Sequence, residues 1–324
     1  MKNLVVTVIL VGVLGYFGAK FYLHHEVSSN LESAISLAEP FADIQYQGVS
    51  STMWGELSVD GISARFGNFK DRLEIDKVSI ITPGFWYLLN LGDMGQRMTG
   101  DDAALPESFG FAIEGLQADV SDDFMKALSK AALQAAPEIM EDDVAAKCIG
   151  KGGFSMSTLK HLGYHEIVMS MSMAYRQEDG KLLLNMWADL VDMYAMQIDL
   201  TFDGTMTPDA LARGTFRPRM IDGRIEYEDY SIIDRTKKLC RRQGLSEQEM
   251  IAAELDAFRA AGMQIGIAFD EFDEYVMEPY EKFLSGGSTF ILTASPTQPI
   301  NLSQINLYKP TDVPALLNLS AEVH

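Results

Sequence analysis

The octapeptide LSVDGISA, residues 57–64, carries apolar side chains at its first, third, sixth and eighth positions: Leu57, Val59, Ile62 and Ala64. Each half alternates with the period of two that sets side chains on one face of a strand. The central step of three would throw the second half onto the opposite face unless an extra residue is absorbed there, as a β-bulge does. Gly61 sits in that step, where a bulge favours glycine.

The template recurs in Leu73, Ile75, Val78 and Ile80, and again in Phe111, Ile113, Leu116 and Ala118, with Gly115 in the step. Two further matches are Ile225, Tyr227, Tyr230 and Ile232, and then Ile300, Leu302, Ile305 and Leu307. Between them Ile167, Met169, Met171, Met173 and Tyr175 alternate as far as Glu178-Asp179-Gly180-Lys181, a hairpin signal, after which Leu182, Leu184 and Met186 continue. Met196, Ile198, Leu200 and Phe202 alternate before the turn at Asp203-Gly204. Ordinary alternation in any antiparallel sheet is the competing explanation of these matches.

The expected fold is mainly β with α insertions (α+β): a long curled antiparallel sheet with an open apolar groove. Its expected ligand-lining face comprises Leu57, Val59, Ile62, Ile75, Val78, Ile80, Ile113, Leu116, Met169, Met171 and Met173. Helices are expected near 121–136, at 246–262, where Ser246 and Glu249 have capping-box spacing and Gly262 a stop signal, and at 269–285.

Ahead of this body, residues 4–19 read LVVTVILVGVLGYFGA without a charge, and Lys20 is followed by Phe21, Tyr22 and Leu23. If Lys20 snorkels, residues 4–23 reach the roughly 20 needed to cross a bilayer core. A cleaved signal peptide is the rival reading, but Phe17-Gly18-Ala19 lacks small residues at both sites of an A-x-A pattern. The expected organisation is therefore a membrane anchor at 1–27 and a body at 28–324 outside the cytoplasm. Lys2 favours a cytoplasmic amino terminus.

A formal charge of -20 would repel a phosphate backbone, so nucleic acid is not an expected partner. Cys148 and Cys240, an even pair in an exported body, permit one disulfide; two unrelated buried thiols are the alternative. Neither has a C-x-x-C or zinc spacing.

Other clusters read as structural. His161 and His165 would share a helix face, yet Gly163 interrupts them and no further ligand set follows. The Met169-Met171-Met173 run suits Cu(I), but Ile167 and Tyr175 extend the same face, which favours apolar lining. Asp270, Glu271, Asp273 and Glu274 lack calcium-loop spacing, and Gly150-Lys151-Gly152-Gly153 lacks that of a P-loop. No cofactor, metal or catalytic residue is expected, and the chain reads as non-enzymatic.

The order of an anchor, a short linker, IQYQGVSSTMWGELSVDGISARF (44–66) and LEIDKVSIITPGFWYLLNL (73–91) resembles the opening of bacterial AsmA-like envelope proteins and related small periplasmic proteins. The resemblance covers the first third of the chain and rests on strand pattern. It implies an inner-membrane protein, single-pass, with its body in the periplasm and a β-groove tied to lipid handling or envelope integrity. A lipid ligand and an envelope protein partner would follow; the alternative is an interaction module without ligand.

Overall fold

The computed structural model describes residues 2–67, 69, 71–90, 105–120, 123, 156–207, 210, 213, 215–264, 266–268 and 273–324. Helix α1 (Lys2–Ala38) leads into strands β1 (Ala42–Gln45), β2 (Gly48–Ser51), β3 (Glu56–Phe66) and β4 (Leu73–Ile81), then α2 (Phe85–Leu89) and β5 (Ser108–Asp119). Next come α3 (Met156–His161) and the strands β6 (Glu166–Glu178), β7 (Lys181–Leu190), β8 (Tyr194–Asp203) and β9 (Arg219–Asp229). Helices α4 (Ile232–Arg242) and α5 (Glu247–Gln264) follow, and a π-helical turn, Asp273–Met277, runs into α6 (Glu278–Gly286). The chain closes with β10 (Thr289–Ala294), β11 (Ile300–Asn301), a 3-10 turn Leu302–Leu307, α7 (Val313–Leu317) and β12 (Leu319–Val323).

The strands form one antiparallel sheet of 12, in the order β1-β3-β4-β5-β6-β7-β8-β9-β10-β12, with β2 also on β3 and β11 also on β9. The expected mainly β, α+β architecture is thus the one found. Asp179 and Gly180 both take positive φ, 51° and 74°, in the β6–β7 hairpin, as a two-residue type I′ turn requires.

The three bulged repeats fall on adjacent strands. β3 pairs with β4, and β4 with β5, in constant register on either side of Gly61, Asp76 and Gly115. Against the regularly alternating β6 the register shifts: Ile113 faces Met171 and Leu116 faces Met169, so Glu114 and Gly115 together face Ser170. The extra residue carried by β3, β4 and β5 is therefore absorbed at the β5–β6 seam. Paired residues share a face, so the rows Ile62-Ile75-Leu116-Met169, Val59-Val78-Ile113-Met171 and Leu57-Ile80-Phe111-Met173 lie on one side of the sheet.

The last two template matches are not strands of that kind. β9 ends at Asp229 and Ile232 opens α4, while Leu302 and Ile305 lie in the 3-10 turn. Two residues three apart share a face of a 3-10 helix as well, which is why the template matched there. Both pack on a core built from Leu182, Phe202, Val276 and Val313.

Ser246 and Glu249 form the expected capping box: Glu249 N–H donates to Ser246 Oγ at 3.2 Å, and Ser246 N–H to Glu249 Oε2 at 2.8 Å. The helix it starts runs to Gln264, and the helix expected at 269–285 is described from Asp273. The segment expected at 121–136, apart from Asp123, and Gly150-Lys151-Gly152-Gly153, Asp270, Glu271 and Cys148 lie outside the described residues.

At the β1–β3 end α1 packs on the sheet through Leu23, with Leu57, Phe85 and Leu88 completing the cluster. Among the described residues no helix is long and apolar enough to cross a membrane. The side chains of residues 1–14 lie outside the description.

Candidate functional site: an apolar cavity under three helices

Helix α4 is amphipathic. Ile232, Thr236, Leu239 and Cys240 are buried at helical spacing, while Arg241 and Arg242 point outward in its last turn. Lys237 is buried as well, its Nζ 2.7 Å from Glu247 Oε1 at the start of α5. With α5 and α6, this helix covers the apolar face of the sheet toward β9 and β10.

Between these layers lies a cavity of about 750 Å³. The strands contribute Leu116, Met169, Leu190, Tyr194 and Tyr227, and the helices contribute Ile232, Ile233, Met250, Phe283 and Leu284. Rings form one wall: Tyr194 stacks on Tyr227 with centroids 5.2 Å apart, and Phe283 meets Tyr227 edge to face at 5.6 Å. Tyr280 continues the wall, 6.2 Å from Phe283 and 4.5 Å from Phe258.

Burial raises the phenol pKa of Tyr194, Tyr227 and Tyr280. All three are neutral at any physiological pH, so the wall presents rings and hydroxyls rather than phenolates. Burial also raises the carboxyl pKa of Asp229, whose Oδ1 accepts the N–H of Ile233 at 3.2 Å in the first turn of α4. Beside the cavity, the Arg235 guanidinium stands 4.1 Å over the Tyr164 ring, and Tyr164 shares a 2.8 Å hydrogen bond with Ser231.

Beyond the tyrosine hydroxyls, two side chains give the cavity polarity. Glu254 contributes a carboxylate to the lining, and Thr236 a hydroxyl that is buried without a hydrogen-bond partner among the described residues. Among the described residues, no Lys, Arg or His lines the cavity. An anionic headgroup would find no counter-charge there, whereas an uncharged group could bond Thr236 Oγ1.

Of the residues expected to line a ligand groove, Leu116 and Met169 border this cavity. The others share its sheet face elsewhere. Leu57 lies in the cluster under α1, and Met171 and Met173 are 37% and 58% exposed. The helical half of the lining escaped the strand template. Its signal was the spacing of Ile232, Thr236 and Leu239, and the template had claimed Ile232 as the end of a strand.

His161 closes α3, and His165 precedes β6 beyond Gly163, whose φ is +86°, so the two do not share a helix face. Among the described residues no group of three His, Cys, Asp or Glu is placed to hold a metal. Cys240 is 1% exposed, packed with Met250 and Phe283.

Residues 187–324 match a protein family described only as "Uncharacterized protein". The match holds α4–α6 and the strands from β8 onward, hence most of the cavity, and covers less than half of the chain. Among curated proteins, none matches.

Proposed function

We propose that this protein is a non-enzymatic, membrane-anchored envelope protein that holds a lipid or acyl chain between its sheet and helices α4–α6. The cavity carries this reading. Its volume, about 750 Å³, lies within the roughly 300–1,000 Å³ usual for small-molecule sites, and its walls are apolar except for the tyrosine hydroxyls, Thr236 and Glu254. Each methylene taken from water into such a site is worth about 0.8 kcal/mol. A chain lying along Leu116, Met169 and Phe283 would thus be held without any charged contact.

Residues 4–23 supply the anchor, and the body then lies on the periplasmic side of the inner membrane, as the AsmA-like resemblance implies. An apolar cargo is consistent with that position. A disulfide between Cys148 and Cys240 fits the same oxidising compartment.

A second reading, an interaction module, is favoured by one observation: Met171 and Met173 expose thioethers on the sheet face beside the cavity. The test is mass spectrometry of the full-length protein released from membranes in mild detergent. The lipid reading expects a co-purifying lipid that Leu116→Trp, which fills the cavity, displaces. A folded protein that carries no lipid under those conditions, or whose lipid survives Leu116→Trp, leaves the interaction module.

A further inference from the structure

The anchor and the body overlap in sequence. The uncharged run begins at Leu4, but α1 already touches the body at Tyr16, whose ring centroid is 4.9 Å from that of Phe85. From there the contact is continuous. Leu23 is 4% exposed, Lys20 Nζ donates to the Ser51 carbonyl at 2.8 Å, and His24 Nε2 lies 2.8 Å from Ser51 Oγ. Residues 4–15 make only about 18 Å of helix at 1.5 Å per residue. The hydrocarbon core of a bilayer is roughly 30 Å thick. A span beginning at Leu4 must therefore include the turns of α1 that lie against the body.

Those turns have two sides. Tyr16 and Leu23 face the body, while Phe17, Phe21 and Tyr22 are 62%, 77% and 59% exposed. The exposed side is what lipid would cover. The body beside it is equally unusual: Trp54, in the β2–β3 turn, is 82% exposed, and Trp86, in the first turn of α2, is 72% exposed. Rings connect the two elements, running from Phe17 to Tyr16 at 5.7 Å, on to Phe85, and then to Trp86 at 6.1 Å. The turn holding Trp54 is fastened to the same place, since Thr82 N–H and Oγ1 both donate to the Gly55 carbonyl at 2.9 Å.

We propose that this end of the body docks in the bilayer surface, with Trp54 and Trp86 at the headgroup level beside α1. The proposal rests on the anchor reading. Tryptophan suits that depth because its ring is apolar and its N–H stays near water. The contact is hydrophobic rather than electrostatic, because the chain carries a net charge of -20 that anionic lipid would repel. The sheet edge at β1–β3 is thereby held against the membrane, and the apolar face that leads from it toward the cavity begins at lipid.

The chain has three tryptophans, which makes the test direct. The full-length protein is reconstituted in phosphatidylcholine vesicles with and without lipid brominated near the headgroup end of its acyl chains. Three variants each keep a single tryptophan, the other two being replaced by Phe. Trp54 and Trp86 should each lose about half or more of their emission to the brominated lipid, as rings at the headgroup level do. Trp187, four strands away on β7, should lose clearly less. In a protein that resists alkaline carbonate extraction, quenching of Trp54 and Trp86 no greater than that of Trp187 overturns the docking and leaves the anchor standing. Release by carbonate overturns both.

Discussion

The backbone N–H of Gly115 donates to Ser170 Oγ at 3.0 Å. This bond lies where Glu114 and Gly115 face Ser170 alone, so it satisfies a donor that the β5–β6 ladder leaves out. Gly115 has φ +62°, and a Cβ there would stand 3.0 Å from Asp76 Cβ and nearer still to its carboxylate. Gly61 has φ +60°, but its crowding neighbour is the flexible end of Gln47. Gly115→Ala should therefore lower the urea midpoint more than Gly61→Ala. Ser170→Ala, by orphaning the N–H, should cost about 1–3 kcal/mol.

Thr236 permits a test of the cavity in two states. Thr236→Val keeps the shape and removes a buried hydroxyl that has no partner among the described residues. In lipid-free protein the change should be neutral or stabilising by about 1 kcal/mol. If the bound lipid offers an uncharged polar group to that hydroxyl, the same variant should retain less lipid in detergent. Equal retention would place the ligand's polar group elsewhere.

Lys77 lies 2.6 Å from Glu56 and 3.4 Å from Glu114 on the opposite sheet face, where Ser58 and Ser79 also bond Glu56. The Lys77 hydrogen bond lowers the Glu56 pKa, and the Glu56 hydrogen bond raises that of Lys77. The Glu56 contribution is thus present above its ordinary value of 4.5 and is lost as pH falls through the lower folded value. The Lys77 contribution is present below 10.5 and is lost as pH rises through its higher folded value. Glu56→Gln should lower stability at neutral pH by up to about 1 kcal/mol, since the pair is partly exposed, and the difference from wild type should vanish in acid. Thermal melts across pH would show it.

Cys240 is buried between α4 and α5, so its state bears on the cavity roof. Alkylation and mass spectrometry of protein purified without reductant should find Cys148 and Cys240 joined. Closing a loop of about 90 residues stabilises by roughly 4–5 kcal/mol in the chain-entropy model. Two alkylated thiols would rule the bridge out.

The topology has its own readout. A periplasm-active reporter fused after His324 should be active and a cytoplasm-active one silent. The opposite pattern would reverse the orientation and remove the basis for an exported disulfide.

Much of the sheet was legible because its signals are local. The alternation of residues 57–64 set a strand, although its register stays constant and the bulge stands instead at Glu114 and Gly115 against β6; Glu178-Asp179-Gly180-Lys181 set a hairpin; Ser246 and Glu249 set a helix start. Each rests on backbone geometry within a few residues, where side-chain period and φ preference decide the outcome. The same template failed at Leu302–Leu307, because a spacing of three is shared by a bulged strand and a 3-10 turn, and only distant contacts choose between them.

Where the apolar face is covered was another matter. The residues of one sheet face could be named from their alternation, yet nothing in that alternation says that Leu57 meets Leu23 of α1, that Met171 and Met173 stay exposed, or that Leu116 and Met169 border a cavity. Those outcomes depend on how α1 lies at one end of the sheet and how α4–α6 lie near the other. Periodicity records which way a side chain points. Packing between elements far apart in the chain determines what it meets, so the cavity and the aromatic end beside α1 exist only in the folded protein.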